Sequence, residues 1–296
     1  MDPLRRPDLE AQSSRQARYN RAVTDSIWQA ADWDGSWLVV PDLHGHAARL
    51  RAALGVANST HRRARLIFLG DLIDDSPRRR EARRTSPNPG SPDASREVFA
   101  TVRTLVESGR AEVLLGNHEA MAAAAVLDDD RALMNLWWKV GGREAAASYG
   151  WDGKGDAGAL AGDLRWLREH GRLWLEVGPP GGRILLTHAT RPSLERLAGG
   201  KNRAADLWPS DADDDVVWFP LGLEGDPSAR HLHPLPADFA LSIHGHMETP
   251  TVHSLSDDEG KLAYQIDIHP RWRKLCLLSI DDDGEMEPYI TNISRG

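Results

Sequence analysis

The sequence is poor in cysteine and in long apolar runs. Cys276 is the one cysteine among 296 residues, which excludes an intrachain disulfide and fits a reducing compartment. No apolar stretch approaches the roughly 20 residues that a membrane-spanning helix needs. The first residues, Met1 to Arg6, are not followed by the apolar stretch of a secretory leader. We therefore expect a soluble, cytoplasmic protein that does not have a membrane as a partner.

Basic residues are outnumbered by acidic ones, and the formal net charge is −8. This excludes a surface that is basic throughout, as many nucleic-acid-binding proteins have, but it allows local basic patches. Nucleic acid is therefore a possible partner but not a favoured one. The hydrophobic content of 41% is ordinary for a globular protein, and the length allows a substantial core.

The residue pattern predicts an N-terminal arm and helix over 1–34, followed by a single domain over 35–296. Within this domain, the proline- and arginine-rich residues 76–95 predict a basic loop insertion. Residues 120–171, approximately, have a helical pattern and predict a helical cap between sheet elements. Residues 251–293 alternate and contain two hairpin turns, which favours a second, mostly antiparallel sheet.

Five apolar, strand-like runs end in residues that can bind metal ions. The run Leu66 to Leu69 leads into Gly70-Asp71, which is typical of a buried parallel strand that presents a carboxylate at its carboxyl end. The other ends are Asp42-Leu43-His44, Gly116-Asn117-His118-Glu119, His188 and His244-Gly245-His246. Chemistry gathers at such ends in open α/β sheets, and borderline divalent metals accept Asp and His together. The pattern predicts a two-metal site that shares Asp71.

These motifs, in this order, resemble the signature of the calcineurin-like metallophosphoesterases over residues 37–250, approximately. Residues 138–142 and 148–150 look like bacterial members of the phosphoprotein-phosphatase-like branch. Those members are similar to both protein Ser/Thr phosphatases and diadenosine tetraphosphatases. The resemblance implies an α/β fold in which two β-sheets pack face to face and are flanked by helices, an αββα sandwich.

The resemblance also implies residue roles. The first metal ion would be held by Asp42, His44 and His246. The second would be held by Asn117, His188 and His244, and Asp71 would bridge the two. His118 would be the general acid at the leaving group, oriented by Asp74. Glu119 would orient its neighbours.

This set of ligands suits phosphate chemistry. Two divalent ions, two carboxylates and a bridging hydroxide leave a charge of about +1, which favours an anionic phosphate. The hydroxide would attack phosphorus in line, so no covalent nucleophile is required. We expect two Mn²⁺ ions, although Fe and Zn²⁺ also fit Asp, His and Asn ligands.

Two phosphate-clamping arginines of the phosphoprotein-phosphatase branch are missing. Asp75 occupies the position of the first, and Phe219-Pro220 follows Trp218 where the second would stand. We expect the anion contacts to come from other arginines, namely Arg78, Arg79, Arg80 or Arg191. The alternative is that these arginines are solvated.

The expected function is hydrolysis of a phosphomonoester or a phosphoprotein. The alternatives are a dinucleoside polyphosphate or nucleic-acid phosphodiester hydrolase, and a non-catalytic relative that binds metal or nucleotide. A metallo-β-lactamase-type hydrolase is disfavoured because it would need Asp two residues after His46, where Ala48 stands. The expected partner is a phosphorylated substrate: a small molecule, a nucleotide or a phosphoprotein.

Overall fold

Two five-stranded β-sheets form the centre of the protein. They lie within the residues that the computed structural model describes, which are 33–75, 93–207, 215–218, 232–268 and 274–293. The predicted N-terminal arm and helix and most of the basic loop, including Arg78, Arg79 and Arg80, lie outside these ranges. The predicted division at residues 34 and 35 stays a prediction.

The first sheet contains three parallel strands that end at one edge. Its strands are β1 (Trp37–Val40), β2 (Arg65–Phe68), β3 (Ala111–Val113), β9 (Lys274–Ile280) and β10 (Met286–Asn292). Their order is β10-β9-β1-β2-β3. β1, β2 and β3 pair in parallel, whereas β9 runs antiparallel to β1 and to β10. The loops that follow the three parallel strands therefore meet.

The second sheet also contains three adjacent parallel strands. Its strands are β4 (Trp174–Val177), β5 (Arg183–Thr187), β6 (Phe239–His244), β7 (His253–Ser256) and β8 (Leu262–Gln265). Their order is β4-β5-β6-β8-β7. β5, β6 and β8 pair in parallel, and the two edge strands are antiparallel to their neighbours.

The prediction of a separate C-terminal sheet over 251–293 is wrong. β7 and β8 extend the second sheet, and β9 and β10 complete the first. The two hairpins are antiparallel as predicted, but β8 also pairs in parallel with β6. Alternation shows that a segment is a strand; the partner of that strand is decided by long-range packing.

Helices cover the sheets. Their bounds are α1 (Ala47–Thr60), α2 (Ser95–Glu107), α3 (Asn117–Leu127), α4 (Arg131–Val140), α5 (Gly142–Ser148), α6 (Ala159–His170), α7 (Leu194–Gly199), α8 (Asp215–Trp218) and a 3₁₀ helix (Ala204–Leu207). Residues 120–171 are mainly helical, as predicted, and the buried side chains of α3 to α6 join one hydrophobic cluster with Leu38 and Phe68 of the first sheet. No helix in the described ranges is long and apolar enough to cross a membrane.

The alternation of β1 shows how the layers stack. Leu38 and Val40 belong to the cluster that the helices share. Trp37 and Val39 belong to a second cluster, which includes Ile184, Leu186 and Ile243 of the second sheet. Because successive side chains of a strand point to opposite faces, β1 is buried by helices on one face and by the other sheet on its opposite face. The predicted αββα sandwich is confirmed.

Candidate metal centre

The loops after β1 and β2 are tied together by backbone hydrogen bonds. The carbonyl oxygen of Asp71 accepts from the backbone N–H of Leu43 at 3.0 Å and of His44 at 2.7 Å. The carbonyl oxygen of Leu72 accepts from Gly45 N–H at 2.7 Å. These bonds fix the side chains that follow the first strand against those that follow the second.

Residues with a left-handed backbone are concentrated in the loops that follow β1, β2 and β6. In the described ranges, five residues other than glycine have positive φ, and four of them are predicted site residues: His44 (47°), Asp71 (47°), Asp74 (72°) and His246 (68°). The left-handed region is unfavourable for residues with a side chain, so the surrounding contacts must hold these four in place. Such a concentration is typical of a functional site.

Asp71 lies between two groups of side chains. Its Oδ2 is 3.5 Å from Nε2 of His44, and its Oδ1 is 3.4 Å from Nε2 of His188. The carboxylate is buried, yet the nearby His188, His118 and His44 hold the pKa of Asp71 below its usual value even though burial opposes this. One oxygen of Asp71 therefore faces each group.

The first group adds Asp42 to His44. Oδ2 of Asp42 lies 3.7 Å from Nε2 of His44. The Nδ1 atom of His44 is 3.3 Å from the carbonyl oxygen of Ile73, which can only accept, so Nδ1 carries the proton and Nε2 offers a lone pair. Oδ1 of Asp42 is buried and has no hydrogen-bond partner among the described residues. Oδ2 accepts from the backbone N–H of His246 at 2.9 Å. A buried carboxylate whose other oxygen has no hydrogen-bond partner fits a cation.

The second group combines Asn117 with two histidines. Nδ1 of His188 donates to the carbonyl oxygen of Leu69 at 2.9 Å, so Nε2 carries the lone pair. Oδ1 of Asn117 lies 3.1 Å from that Nε2 and 3.1 Å from Nδ1 of His246. Turning the amide by 180° would place its N–H groups there instead. A cation would satisfy the same converging lone pairs without this rotation, so the donor set fits a metal ion.

The structure corrects two of the roles that the resemblance implied. The possible ligand atoms of His246, Asp71 and His188 lie within 4.8 Å of one another. The other such set in the described ranges consists of His44, Asp71 and His118, and does not include His246. Its side chain therefore faces the second position rather than the first. Burial lowers the pKa of His246 to about 4, so its ring is neutral and able to act as a ligand.

His244, predicted to be a ligand, is held away from the centre. It is the last residue of β6, and its ring nitrogens lie 2.7 Å from Thr187 Oγ1 and 2.7 Å from Ser242 Oγ. Burial, together with the charge of Arg191, lowers the pKa of His244 well below its usual value. β6 ends at His244, and the left-handed backbone of His246 turns its ring in another direction, so only His246 points into the centre.

His118 and Asp74 form a hydrogen-bonded pair at the edge of the centre. Nδ1 of His118 is 2.8 Å from Oδ2 of Asp74, and Nε2 of His118 is 3.8 Å from Oδ2 of Asp71. The indole N–H of Trp137 donates to the same Asp74 oxygen at 2.7 Å. Burial raises the pKa of Asp74 to about 6, against the hydrogen bond and charge of His118. The structure thus brings together the pair predicted from sequence, and it adds Trp137, to which no sequence motif points.

Glu119 organises the backbone behind the ligands. Its carboxylate accepts from the backbone N–H groups of Asp71 (2.9 Å), Leu72 (2.7 Å), Ile73 (3.0 Å) and Gly116 (3.2 Å). A Cβ at Gly116 would lie 2.2 Å from both N and Oδ1 of Asp71, so only glycine fits at the start of α3. Glu119 therefore orients the Asp71 loop, as predicted.

The predicted substrate contact of Arg191 is corrected as well. This guanidinium is fully buried and donates to Asp257, Ser242 and the carbonyl oxygens of His233, Lys261 and Leu262. All of these acceptors belong to the protein, so Arg191 joins the loop after β5 to the β7–β8 hairpin. The residue pattern does not predict this ion pair, because Asp257 lies 66 positions after Arg191 in the sequence.

Comparison with known proteins identifies a family. The model of the family described as calcineurin-like phosphoesterase matches residues 36–249. No curated protein matches the sequence significantly. The match covers all five strand ends at which the predicted ligands stand.

Several solved structures match the chain at low identity. A proposed diadenosine tetraphosphatase is 15% identical, with coverage of 87% of this chain and 94% of that chain and a TM-score of 0.43. A protein Ser/Thr phosphatase from Saccharomyces cerevisiae is 12% identical, with coverage of 96% and 90% and a TM-score of 0.49. A hypothetical protein from Pyrococcus horikoshii OT3 is 12% identical, with coverage of 88% and 89% and a TM-score of 0.49. At these values the structures do not select a substrate.

Proposed function

The chain belongs to the calcineurin-like phosphoesterase family and is a hydrolase of phosphate esters, and we propose that it cleaves phosphomonoesters at two divalent metal ions held around Asp71. The observation that carries this proposal is the position of the Asp71 carboxylate. Each of its oxygens lies within 3.5 Å of a histidine nitrogen from a different group. A bridging carboxylate needs this arrangement.

The donor atoms divide between two positions. Asp42, His44 and Asp71 would hold the first ion, and Asp71, Asn117, His188 and His246 the second. When bound, such ions supply Lewis-acid polarisation of the phosphate oxygens and lower the pKa of water. We propose Mn²⁺ as the native metal; Fe and Zn²⁺ suit the same mixture of nitrogen and oxygen donors.

His118 is placed to supply the proton that the leaving group needs. Its Nδ1 is held by Asp74, so Nε2 is the atom that faces the centre near Asp71. In hydrolysis the bond between phosphorus and the ester oxygen breaks, an oxygen from water joins phosphorus, and the leaving oxygen takes the proton from His118. One proton donor beside one metal pair serves one leaving group, which is what cleavage of a single phosphate ester bond requires.

The test compares metal-loaded protein with three variants, using p-nitrophenyl phosphate and bis(p-nitrophenyl) phosphate. Asn117→Ala should lose one of two bound metal ions, measured by elemental analysis, together with activity. His118→Ala should keep both ions and lose about 10²- to 10⁴-fold in kcat. His61→Ala, which alters a histidine outside the centre, is the matched control and should change neither quantity.

Three results would contradict the proposal. The first is turnover that survives full chelation, and the second is a His118→Ala variant with unchanged kcat. The third is a strong preference for the diester, which would move the substrate to the phosphodiester class. Two metal ions bound without turnover of any ester would support a binding protein instead.

A further inference from the structure

The start of α2 is bonded to the loop that carries Asp74. The Oγ atom of Ser95, the first residue of this helix, accepts from the backbone N–H of Asp74 at 3.0 Å, and the serine is fully buried. The two residues are 21 positions apart in the sequence. The roles described above assign no function to Ser95.

This hydrogen bond differs from the ordinary use of a serine at the start of a helix. Such a serine usually accepts from a backbone N–H group of its own helix. In α2 the N-cap residue is Ala94, which makes no side-chain cap bond, and the Oγ atom of Ser95 is bonded to the other loop. The Ser95 hydroxyl therefore links two elements instead of capping its own helix.

Asp93 holds Ser95 in place. Its Oδ1 accepts from the backbone N–H of Ser95 at 2.7 Å, and its Oδ2 accepts from the backbone N–H of Asp75 at 2.8 Å. Burial raises the pKa of Asp93, against the hydrogen bonds that the Ser95 hydroxyl and these two N–H groups donate to its carboxylate. Because the hydroxyl proton goes to Asp93, a lone pair of Oγ is left for Asp74.

Asp74 depends on such support because its backbone is left-handed. Its φ is 72°, in a region that is unfavourable for residues with a side chain. Its carboxylate lies 2.8 Å from Nδ1 of His118, so a shift of the Asp74 backbone would turn the ring of the proton donor. Trp137 fixes the carboxylate of Asp74, and Ser95 fixes its backbone. Small displacements of a catalytic group can cost a large part of the rate.

The same segment also contacts the loop after β1. The backbone N–H of Ala94 donates to the carbonyl oxygen of Gly45 at 2.9 Å, and a Cβ on Gly45 would lie 2.8 Å from Oγ of Ser95. Gly45 directly follows His44, which faces the first metal position. A role at the metal ion is therefore the alternative to a role at the proton donor. The hydrogen bond of Oγ itself goes to Asp74, which favours the proton donor.

We infer that Ser95, held by Asp93, is a positioning residue for the general acid: it fixes the backbone of Asp74 and thereby the direction of the His118 ring. This rests on the proposed function. The step concerned is the transfer of the His118 proton to the leaving oxygen as the bond between that oxygen and phosphorus breaks. Removal of Oγ should slow this step without changing substrate binding or the number of bound ions.

The kinetic test uses leaving groups of increasing basicity, those of p-nitrophenyl phosphate, phenyl phosphate and glycerol 2-phosphate. A strongly basic leaving oxygen depends more on a proton than a weakly basic one does. In the manganese-loaded full chain, Ser95→Ala should lower kcat about threefold for the first ester and about thirtyfold for the last, with KM unchanged and two ions bound. Asp93→Ala, at a less deeply buried residue, should give the same graded loss.

Ser108→Ala is the matched control. Ser108 is the C-cap residue of α2, at the end opposite to Ser95, and its hydroxyl donates to the carbonyl oxygen of Leu105 at 2.9 Å. The substitution removes the same group from the same helix, roughly 20 Å away along its axis. It should leave kcat for all three esters unaffected. Thermal unfolding of each variant identifies any loss that comes from misfolding.

A double variant tests whether Ser95 acts through His118. In the His118→Ala background, adding Ser95→Ala should lower kcat for glycerol 2-phosphate by less than about twofold, because the proton donor is already absent. A further loss of about thirtyfold there would overturn the inference. An equal loss for all three esters, or the loss of a metal ion from Ser95→Ala, would also overturn it and would place the role of Ser95 at His44.

A spectroscopic measurement separates this inference from the proposed function. An imidazole N–H that donates to a buried carboxylate gives a proton NMR signal far downfield, and the signal that is missing in His118→Ala identifies the Nδ1 proton. Loading with Zn²⁺, which has no unpaired electrons, keeps this signal sharp. Ser95→Ala should shift or broaden it, and Ser108→Ala should not.

The two proposals can then fail separately. If the signal changes as stated while the wild type hydrolyses no ester, only the proposed function fails and the positioning role stands. If the wild type hydrolyses the esters while Ser95→Ala has an unchanged signal and unchanged rates, the positioning role is wrong and the proposed function stands.

Discussion

At the scale of single residues, His244 and His246 show that a motif can identify candidate ligands without giving the direction of their side chains. Both histidines follow the same apolar run, and both were predicted ligands. Side chains of a strand alternate between its two faces, so His244 and His246 would point to the same face if β6 continued. β6 ends at His244, and His246 has a left-handed backbone that turns its ring towards Asn117. No residue pattern in the sequence marks the position at which the strand ends.

This difference gives a stoichiometric prediction. His246→Ala should reduce bound manganese from two ions to one, because it removes a donor from the second position. His244→Asn should still bind two ions, since its amide can replace the ring between Thr187 and Ser242. Elemental analysis of dialysed protein measures both. Equal metal loss in the two variants would restore the role that was predicted for His244.

A second prediction concerns the indole N–H of Trp137. Trp137→Phe keeps an aromatic ring on Trp138 but removes the donor to Asp74, so the carboxylate holds His118 less firmly. We expect kcat towards p-nitrophenyl phosphate to fall about three- to tenfold, with little change in KM.

Trp166→Phe is the matched control for this variant. The indole N–H of Trp166 is buried and has no hydrogen-bond partner among the described residues, so its removal breaks no hydrogen bond. The same Trp-to-Phe change should leave kcat unaltered there. Equal rates for Trp137→Phe and wild type would show that Asp74 is positioned by other contacts.

At the scale of elements, the sequence predicts most strands and helices near the centre, because their apolar periods are uninterrupted. The run Leu66 to Leu69, predicted to be a strand, is observed as β2 (Arg65–Phe68), one residue earlier at each end. Contacts between elements that are far apart in the sequence are harder to predict from the residue pattern. Arg191 stands three residues after His188, a predicted ligand, and was expected to contact substrate; it pairs instead with Asp257, on a hairpin that the sequence does not place beside it.

The Arg191 ion pair predicts a large effect on stability. Arg191→Met leaves the Asp257 carboxylate buried without its partner, and we expect a loss of about 3–5 kcal/mol in the free energy of unfolding. KM should stay unchanged because no N–H of Arg191 reaches the centre. Denaturant unfolding and steady-state kinetics measure the two quantities.

Arg183→Met is the comparison within the same part of the fold. Arg183 begins β5, and its guanidinium pairs with Glu176 and Asp238 at the surface, where ion pairs contribute little. Its substitution should lower stability much less. A raised KM in Arg191→Met with normal stability would instead favour the substrate contact that the sequence suggested.

At the scale of the whole molecule, the centre joins the two sheets. Asp42, His44 and Asp71 follow strands of the first sheet, whereas His188 and His246 follow strands of the second. The αββα arrangement was predictable from the family resemblance. The assignment of the last four strands to two sheets was not, since alternation carries no information about partners.

Metal removal should therefore weaken the whole fold. If each of the two ions is present at 100 times its Kd, together they stabilise the native state by about 5 kcal/mol, and chelation should lower Tm by about 10 °C or more. In Asp71→Asn the shift should be much smaller because both positions lose a shared donor. Calorimetry with and without chelator measures this, and an identical Tm in wild-type protein would exclude tight binding.

The four left-handed residues have a consequence for how this protein changes over generations. Glycine would relax the backbone at His44, Asp71, Asp74 and His246, and each replacement would delete a donor or its support. Selection for folding alone thus pushes these positions towards glycine, and only selection for turnover keeps them. A lineage that no longer needs the reaction should lose these four residues before it loses its core residues. The most stable sequence for this architecture is therefore an inactive one.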